Sequence, residues 1–153
     1  MTRRVGPNRS IPDAAVIPVL SYPDPGAAAE WLRDVFGFAI RLRIFNHRVQ
    51  LTWDGGALVT TDTRWAGGDA AGSGHSLLIR VADVDAVYDR ALAAGAVGGQ
   101  PPTDFDYGER QANLTDPWGH HWTFSQTIAD VDPAAWGGVL DADADHQPEG
   151  TSR

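Results

Sequence analysis

The strongest constraint in this sequence is that it repeats itself once. An apolar strand-like run, a helix-period run and a closing glycine occur twice in the same order, and Gly37 and Gly95 stand 58 residues apart. The same spacing pairs Ile17 with His75. Two copies are too few for a solenoid, which needs at least three to bury a continuous core, so this is a single internal duplication.

The first copy opens on Ala15 to Tyr22, rich in Val, Ile and Leu and closed by Pro23-Asp24-Pro25-Gly26, a turn cluster suited to starting a helix. From Gly26 to Phe36, Ala28, Trp31, Leu32 and Val35 form an apolar stripe at helical spacing, and Gly37 ends it. Three strand candidates follow, Phe38 to Phe45, Arg48 to Trp53 and Ala57 to Asp62, with Asn46-His47 and Asp54-Gly55-Gly56 as turns. The second copy has a strand at His75 to Val81 and a helix at Val84 to Ala94 closed by Gly95. A weak strand in Pro-rich sequence after Gly99 comes next, then Arg110 to Leu114 and His120 to Gln126. Each copy reads β-α-β-β-β.

The flanks lack such periodicity. Residues 1–13 are expected to be a flexible tail, 14–138 a single domain with modules at about 14–65 and 75–127, and 139–153 an acidic disordered tail. Between the modules, Ala66 to Gly74 is small and Gly-rich, as a linker is.

Composition removes several functions. The 153 residues contain no cysteine, which excludes disulfides, zinc-thiolate sites and cysteine nucleophiles. A net charge of −8 and the lack of a basic stripe argue against phosphate-backbone binding. No apolar run approaches the roughly 20 residues of a spanning helix, and no signal-peptide segment precedes Ile11. The expectation is a cytoplasmic protein with neither nucleic-acid nor membrane partners. Nucleophile-elbow, P-loop and dinucleotide fingerprints are absent.

The segments Ala-Ala-Ala-Glu-Trp-Leu-Arg-Asp-Val-Phe-Gly-Phe, Val-Ala-Asp-Val-Asp-Ala-Val-Tyr-Asp-Arg-Ala-Leu-Ala-Ala-Gly-Ala and Asp116-Pro117-Trp118-Gly119-His120-His121-Trp122, set in tandem β-α-β-β-β modules, resemble the vicinal oxygen chelate superfamily. This is the glyoxalase, bleomycin-resistance protein and extradiol dioxygenase group. The resemblance implies an α+β fold of cupped mixed sheets, helices on the convex side and a ligand cavity on the concave side. It also implies a homodimer with two equivalent sites. Function stays open, because the scaffold hosts isomerases, lyases, dioxygenases and silent drug binders.

Enzymes of that superfamily hold a divalent metal with four inward side chains, one from the first and last strand of each module. The corresponding positions here are expected at Ile17, His75, Thr60 and Thr123, of which only His75 is a normal ligand. The sequence therefore implies no metal and no other cofactor. Candidate ligand-binding residues are Trp53, Thr60, Trp65, His75, Phe105, Tyr107, Arg110, His121 and Thr123, with indoles at Trp53 and Trp65 placed to stack on a planar or cationic molecule. Trp31, Trp122 and Phe124 are assigned to packing.

Two functions follow. One is a non-catalytic binder of a small molecule, an antibiotic or other aromatic natural product. The other is a lyase, isomerase or dioxygenase with a non-standard metal site, or a metal-free acid/base site built from His75, His121 and Glu109.

Overall fold

The computed structural model describes residues 6–63 and 74–140. Trp65, nearly all of the expected linker and the last thirteen residues of the acidic tail lie outside them. Module one contains β1 (Val19–Ser21), α1 (Pro25–Trp31), β2 (Ala39–Ile44), β3 (Arg48–Trp53) and β4 (Gly56–Thr61). Module two contains β5 (Leu77–Arg80), α2 (Val84–Ala93), β6 (Val97–Gly98), β7 (Thr103–Asp104), β8 (Glu109–Thr115) and β9 (His121–Thr127), with a short 3-10 turn at Pro133–Trp136. The sheets run β1-β4-β3-β2 and β5-β9-β8-β6, with β7 also paired to β8. In each sheet the first strand lies parallel to the last and the remaining pairs are antiparallel. This is the expected α+β arrangement of two β-α-β-β-β modules.

Both helices start for the same reason. Asp24 and Asp83, in extended backbone, accept from the amides of Ala27 and Ala86, and Pro25 fills the first turn of α1, where its missing N–H costs nothing. Strand β1 is shorter than its apolar run because Pro18 has no amide to donate. The second strand of module two is split around Pro101 and Pro102 into β6 and β7.

The copies differ by one residue, and the difference is visible in the helices. The cap pair Asp24/Asp83 is 59 apart, whereas the glycines that follow, Gly37 and Gly95, are 58 apart. Module one absorbs its extra residue by widening Leu32–Phe36 into a π-turn, closed by Gly37 at φ 89° with its amide on the carbonyls of Leu32 and Arg33. The first strands are therefore offset by 59 rather than the expected 58, which matches Ile17 with Ser76 and His75 with Val16. The last strands are fixed by equivalent bonds, Tyr22 N–H to Thr61 O and Val81 N–H to Ser125 O, both at 2.9 Å. Thr61 thus matches Ser125, and Val59, not Thr60, matches Thr123.

The two modules share one core. Leu20, Leu32, Val35, Phe36, Leu51 and Leu58 from the first meet Val84, Ala91, Leu114, Trp122 and Phe124 from the second. The ring of Phe36 stands edge-on to Trp122 and Phe124 at 5.0 and 4.7 Å. Trp31 Nε1 donates to Ala94 O at 3.0 Å and Arg90 Nε to Val35 O at 2.6 Å, so the helices are bonded to each other as well as packed. Trp122 is fully buried, and an alanine there would cost roughly 3–5 kcal/mol.

Residues 8–12 run across the helix-free face of the first sheet. Arg41, at a β-bulge in β2, donates to Arg9 O and Gln50 Oε1, and Gln50 Nε2 donates to Ser10 O. Among the described residues, no helix is long and apolar enough to cross a membrane.

Candidate functional site

Strands β8 and β9 alternate strictly. Arg110, Ala112 and Leu114 with Trp122, Phe124 and Gln126 face the helices, which leaves Glu109, Gln111, Asn113, Thr115, His121, Thr123, Ser125 and Thr127 on the other face. Three of these side chains and Tyr107 are joined in a directional chain. The Tyr107 hydroxyl donates to Gln111 Oε1 at 2.9 Å, Gln111 Nε2 to Ser125 Oγ at 2.9 Å, and Ser125 Oγ to Glu109 Oε1 at 2.7 Å. Ser125 and then Thr127, by hydrogen bonding, and the charge of Arg80 hold the Glu109 carboxyl below its ordinary range, against the opposing effect of partial burial. Arg80 donates to Thr127 Oγ1 at 2.9 Å and ties β5 into the same surface.

Tyr107 lies in an aromatic cluster at one end of this face. Its ring stacks on Phe105 at 5.3 Å and meets Trp136 at 5.5 Å. Gly108 makes the approach possible, since its φ of 86° is left-handed and an added Cβ would collide with Ala129 O.

A groove of about 960 Å³ opens at the seam between the sheets. Val16, Pro18 and Trp53 line it from module one, Leu77, Leu78 and Val81 from module two, and Arg80 and Thr127 place the edge of the polar face within it. Trp53 is held by an Nε1–H bond to Arg80 O at 3.2 Å and by contact with Gly37. Val16 and Leu78 are largely exposed, 81% and 60%, on the two edge strands or their approaches.

The structure sorts the expected residues. His121 and Thr123 share the helix-free face with Glu109, and Trp53 lines the groove. Phe105 and Tyr107 stand together at the aromatic end. Thr60 does not join them: it is fully buried under α1, with its hydroxyl on Pro25 O at 2.9 Å, because the one-residue offset turns it to the helix side. Arg110 also faces the helices, where it grips both oxygens of Asp85 at 2.9 Å and meets Asp104 at 3.0 Å. His75 precedes β5 by two residues, is exposed, and has the parity of Leu77 and Ile79 on the helix side. His121 and Glu109 lie at opposite ends of the β8–β9 pair, across from Thr115 and Thr127. Six residues of strand separate them, about 20 Å, so one chain does not assemble them as an acid/base pair.

Arg80, Gln111, Ser125 and Thr127 were not among the expected site residues. For Gln111, Ser125 and Thr127 the signal was present in the polar–apolar alternation of 109–115 and 121–127, whereas the Leu-Leu-Ile run before Arg80 carries no such alternation.

Residues 15–124 match the family model for the Glyoxalase/Bleomycin resistance protein/Dioxygenase superfamily. The chain belongs to this superfamily. Among solved structures it is similar to TioX from Micromonospora sp. ML1, with 34% identity and a TM-score of 0.60 over 73% of this chain and 97% of that one. TnmS3, described as an antibiotic binding protein from Streptomyces sp. CB03234, shares 22% identity at TM-score 0.58, over 77% and 98% of the two chains. A glyoxalase-related enzyme from Fulvimarina pelagi shares 21% at TM-score 0.63, over 75% and 88%. These last two are likenesses of fold. Uncharacterised proteins of Mycobacterium bovis and Mycobacterium tuberculosis are 38% identical over 60 residues, which is 39% of this chain. The match spans 40% and 35% of their respective lengths.

The superfamily's metal can be tested against the inward residues of the first and last strands. They are Val19 and Ser21 on β1; Ala57, Val59 and Thr61 on β4; Leu78 and Arg80 on β5; and His121, Thr123, Ser125 and Thr127 on β9. His121 is the one imidazole, there is no carboxylate, and Arg80 brings positive charge. Among the described residues no group of three His, Asp or Glu side chains converges. This donor set does not fit a zinc-type site, which takes imidazole, carboxylate or thiolate ligands at about 2.0–2.3 Å.

Proposed function

We propose that this superfamily member is a non-catalytic binder of a small, largely apolar or aromatic molecule, an antibiotic-like natural product, and that it works without the superfamily metal. The observation that carries this reading is the seam groove: its size lies in the range of small-molecule sites, its walls are mainly apolar with one indole, and its polar side chains are few, Arg80 and Thr127 at one edge with Asp54 and Gln126 besides. Arg80 and Thr127 on that edge supply orientation, and Trp53 supplies a stacking surface. The description of TnmS3 as an antibiotic binding protein is in keeping with this reading.

The same reading includes a homodimer. Strands β1 and β5 are sheet edges, and exposed Val16, Val19 and Leu78 border or approach the groove, so a second subunit placed there would cover both apolar side chains and unpaired backbone.

Tryptophan fluorescence titration against a panel of aromatic antibiotics tests the proposal. At least one compound should quench saturably, and Trp53→Leu should weaken that response by about tenfold, equivalent to about 1.4 kcal/mol. A panel in which no compound binds would count against the binder, and one tightly held divalent ion per tag-free chain would overturn the metal-free assignment.

A further inference from the structure

The two modules present equivalent helix-free faces, but they do not treat them alike. In module two, Asn113 is exposed and its ladder partner Thr123 is half-buried. In module one, their equivalents are closed: Gln50 is 4% exposed and Val59 3%. Val59 is buried without belonging to the shared hydrophobic core, and it sits directly opposite Gln50 in the β3–β4 ladder. What lies over this pair is the segment beginning at Asn8.

The segment is held through its main chain. Arg41 donates to Arg9 O and Gln50 donates to Ser10 O, both at 2.8 Å, while a second Arg41 donor engages Gln50 Oε1 and orients the amide. The bulge between Ile40 and Leu42 aims the Arg41 side chain at the segment, a usual effect of an extra residue in one strand. The segment is itself turned for the contact: Ser10 N–H bonds Asn8 Oδ1 at 3.0 Å, Ile11 N–H bonds Asn8 O at 3.3 Å, and Pro12 is buried. Side-chain donors directed at two successive carbonyls hold the backbone of this turn and are indifferent to its side-chain sequence.

We infer that the helix-free face of module one is a peptide-binding surface whose occupant is the protein's own segment Asn8–Pro12, seated in cis by Arg41 and Gln50. The segment retires one of two duplicated faces and leaves module two as the face open to other molecules. This inference does not depend on the small-molecule reading.

The test uses the full-length chain. Val59→Cys introduces a single thiol beneath the segment in a protein that has none. A thiol reagent should modify it at least tenfold more slowly than the thiol of a separate His121→Cys chain, whose position is exposed, and adding Arg41→Leu and Gln50→Leu should remove most of that protection. Hydrogen exchange provides the second reading: amides at 8–12 should exchange at least fivefold faster in the Arg41→Leu/Gln50→Leu chain, with those of β8 and β9 unchanged. Rapid labelling of the Val59→Cys chain with Arg41 and Gln50 intact would overturn the inference. So would unchanged exchange at 8–12 in the double variant, or protection that disappears on dilution to monomer, which would place the segment on a second copy. If the double variant also loses protection across β8 and β9 it is unfolded, and labelling of the Val59→Cys chain alone then decides.

Discussion

Tyr22 donates its phenolic hydrogen to Asp116 Oδ2 at 2.7 Å, and this bond joins the end of β1 in module one to the Asp-Pro turn between β8 and β9 in module two. Both carboxylate oxygens of Asp116 are engaged at this junction. Trp122 Nε1 shares Oδ2 at 3.1 Å, and the amides of Trp118 and His120 both donate to Oδ1 at 3.0 Å. His120 crosses the same junction in the other direction, with Nε2 2.7 Å from Ser21 O. The carbonyl can only accept, so Nε2 carries the hydrogen.

Removing the hydroxyl should therefore loosen the contact between modules. Tyr22→Phe leaves a buried acceptor short of one bond and should destabilise by about 1–2 kcal/mol, while Asp116→Ala strands four donors and should cost about 3 kcal/mol or more. Urea denaturation measures both, and a Tyr22→Phe midpoint equal to the natural protein's would contradict the account.

Alkaline stability should also trace to Tyr22. Burial first, then the charge and hydrogen bond of Asp116, push its ionisation far above the ordinary value near 10. A folded-state value raised above the unfolded one gives stability that is complete below about pH 10 and lost as pH rises beyond it. Tyrosinate absorbance from Tyr22 should appear only together with unfolding, and Tyr22→Phe should flatten the alkaline limb of the stability curve. Ionisation of all three tyrosines in a chain that keeps its native circular dichroism would refute this.

Glu109 should act at the other end of the pH scale. Its folded value is depressed, so its contribution is present above the unfolded value of about 4.3 and fades as pH falls through the lower folded value. Ser125→Ala removes the largest stabilising contact and should move the Glu109 titration upward, toward the ordinary range. Carboxyl chemical shifts followed by NMR report the change directly, and an unmoved titration would rule out the hydrogen-bond explanation.

Gly108→Ala should damage the polar face without touching its side chains. The positive φ and the collision with Ala129 O together predict a loss of about 2–3 kcal/mol. Displacement of the neighbouring Tyr107 and Glu109 should weaken any ligand that quenches in the natural protein. A variant of unchanged stability would mean that the loop has room that this geometry denies it.

Much of the fold was legible because local signals agreed with one another. The Pro23-Asp24-Pro25-Gly26 turn, the stripes over 26–36 and 84–94 and the alternation around Trp122 all act within a few residues of chain. The module offset was less legible: the expected match of Thr60 with Thr123 is one residue out of the register that the Tyr22–Thr61 and Val81–Ser125 bonds fix, and only the π-turn reveals that the first strands and the pair Gly37/Gly95 obey different spacings. The segment at 8–12 could not be read as ordered, since it has no periodicity and its bonds to Arg41 and Gln50 use backbone carbonyls that every residue possesses. Asp116 was visible as a turn residue, but its buried role depends on Tyr22, 94 residues away.

The π-turn at Leu32–Phe36 bears on how such a chain could have diverged after duplication. A residue gained within a regular helix rotates everything after it by about 100° and would misalign the next strand. Confined to one widened turn before Gly37, the gain is silent beyond the glycine, and β2 enters its sheet in register. Length changes in the two copies could then accumulate independently, without compensation in the sister copy. A history of insertions and deletions is thereby recorded in helix geometry after the side chains of the two halves have ceased to resemble each other.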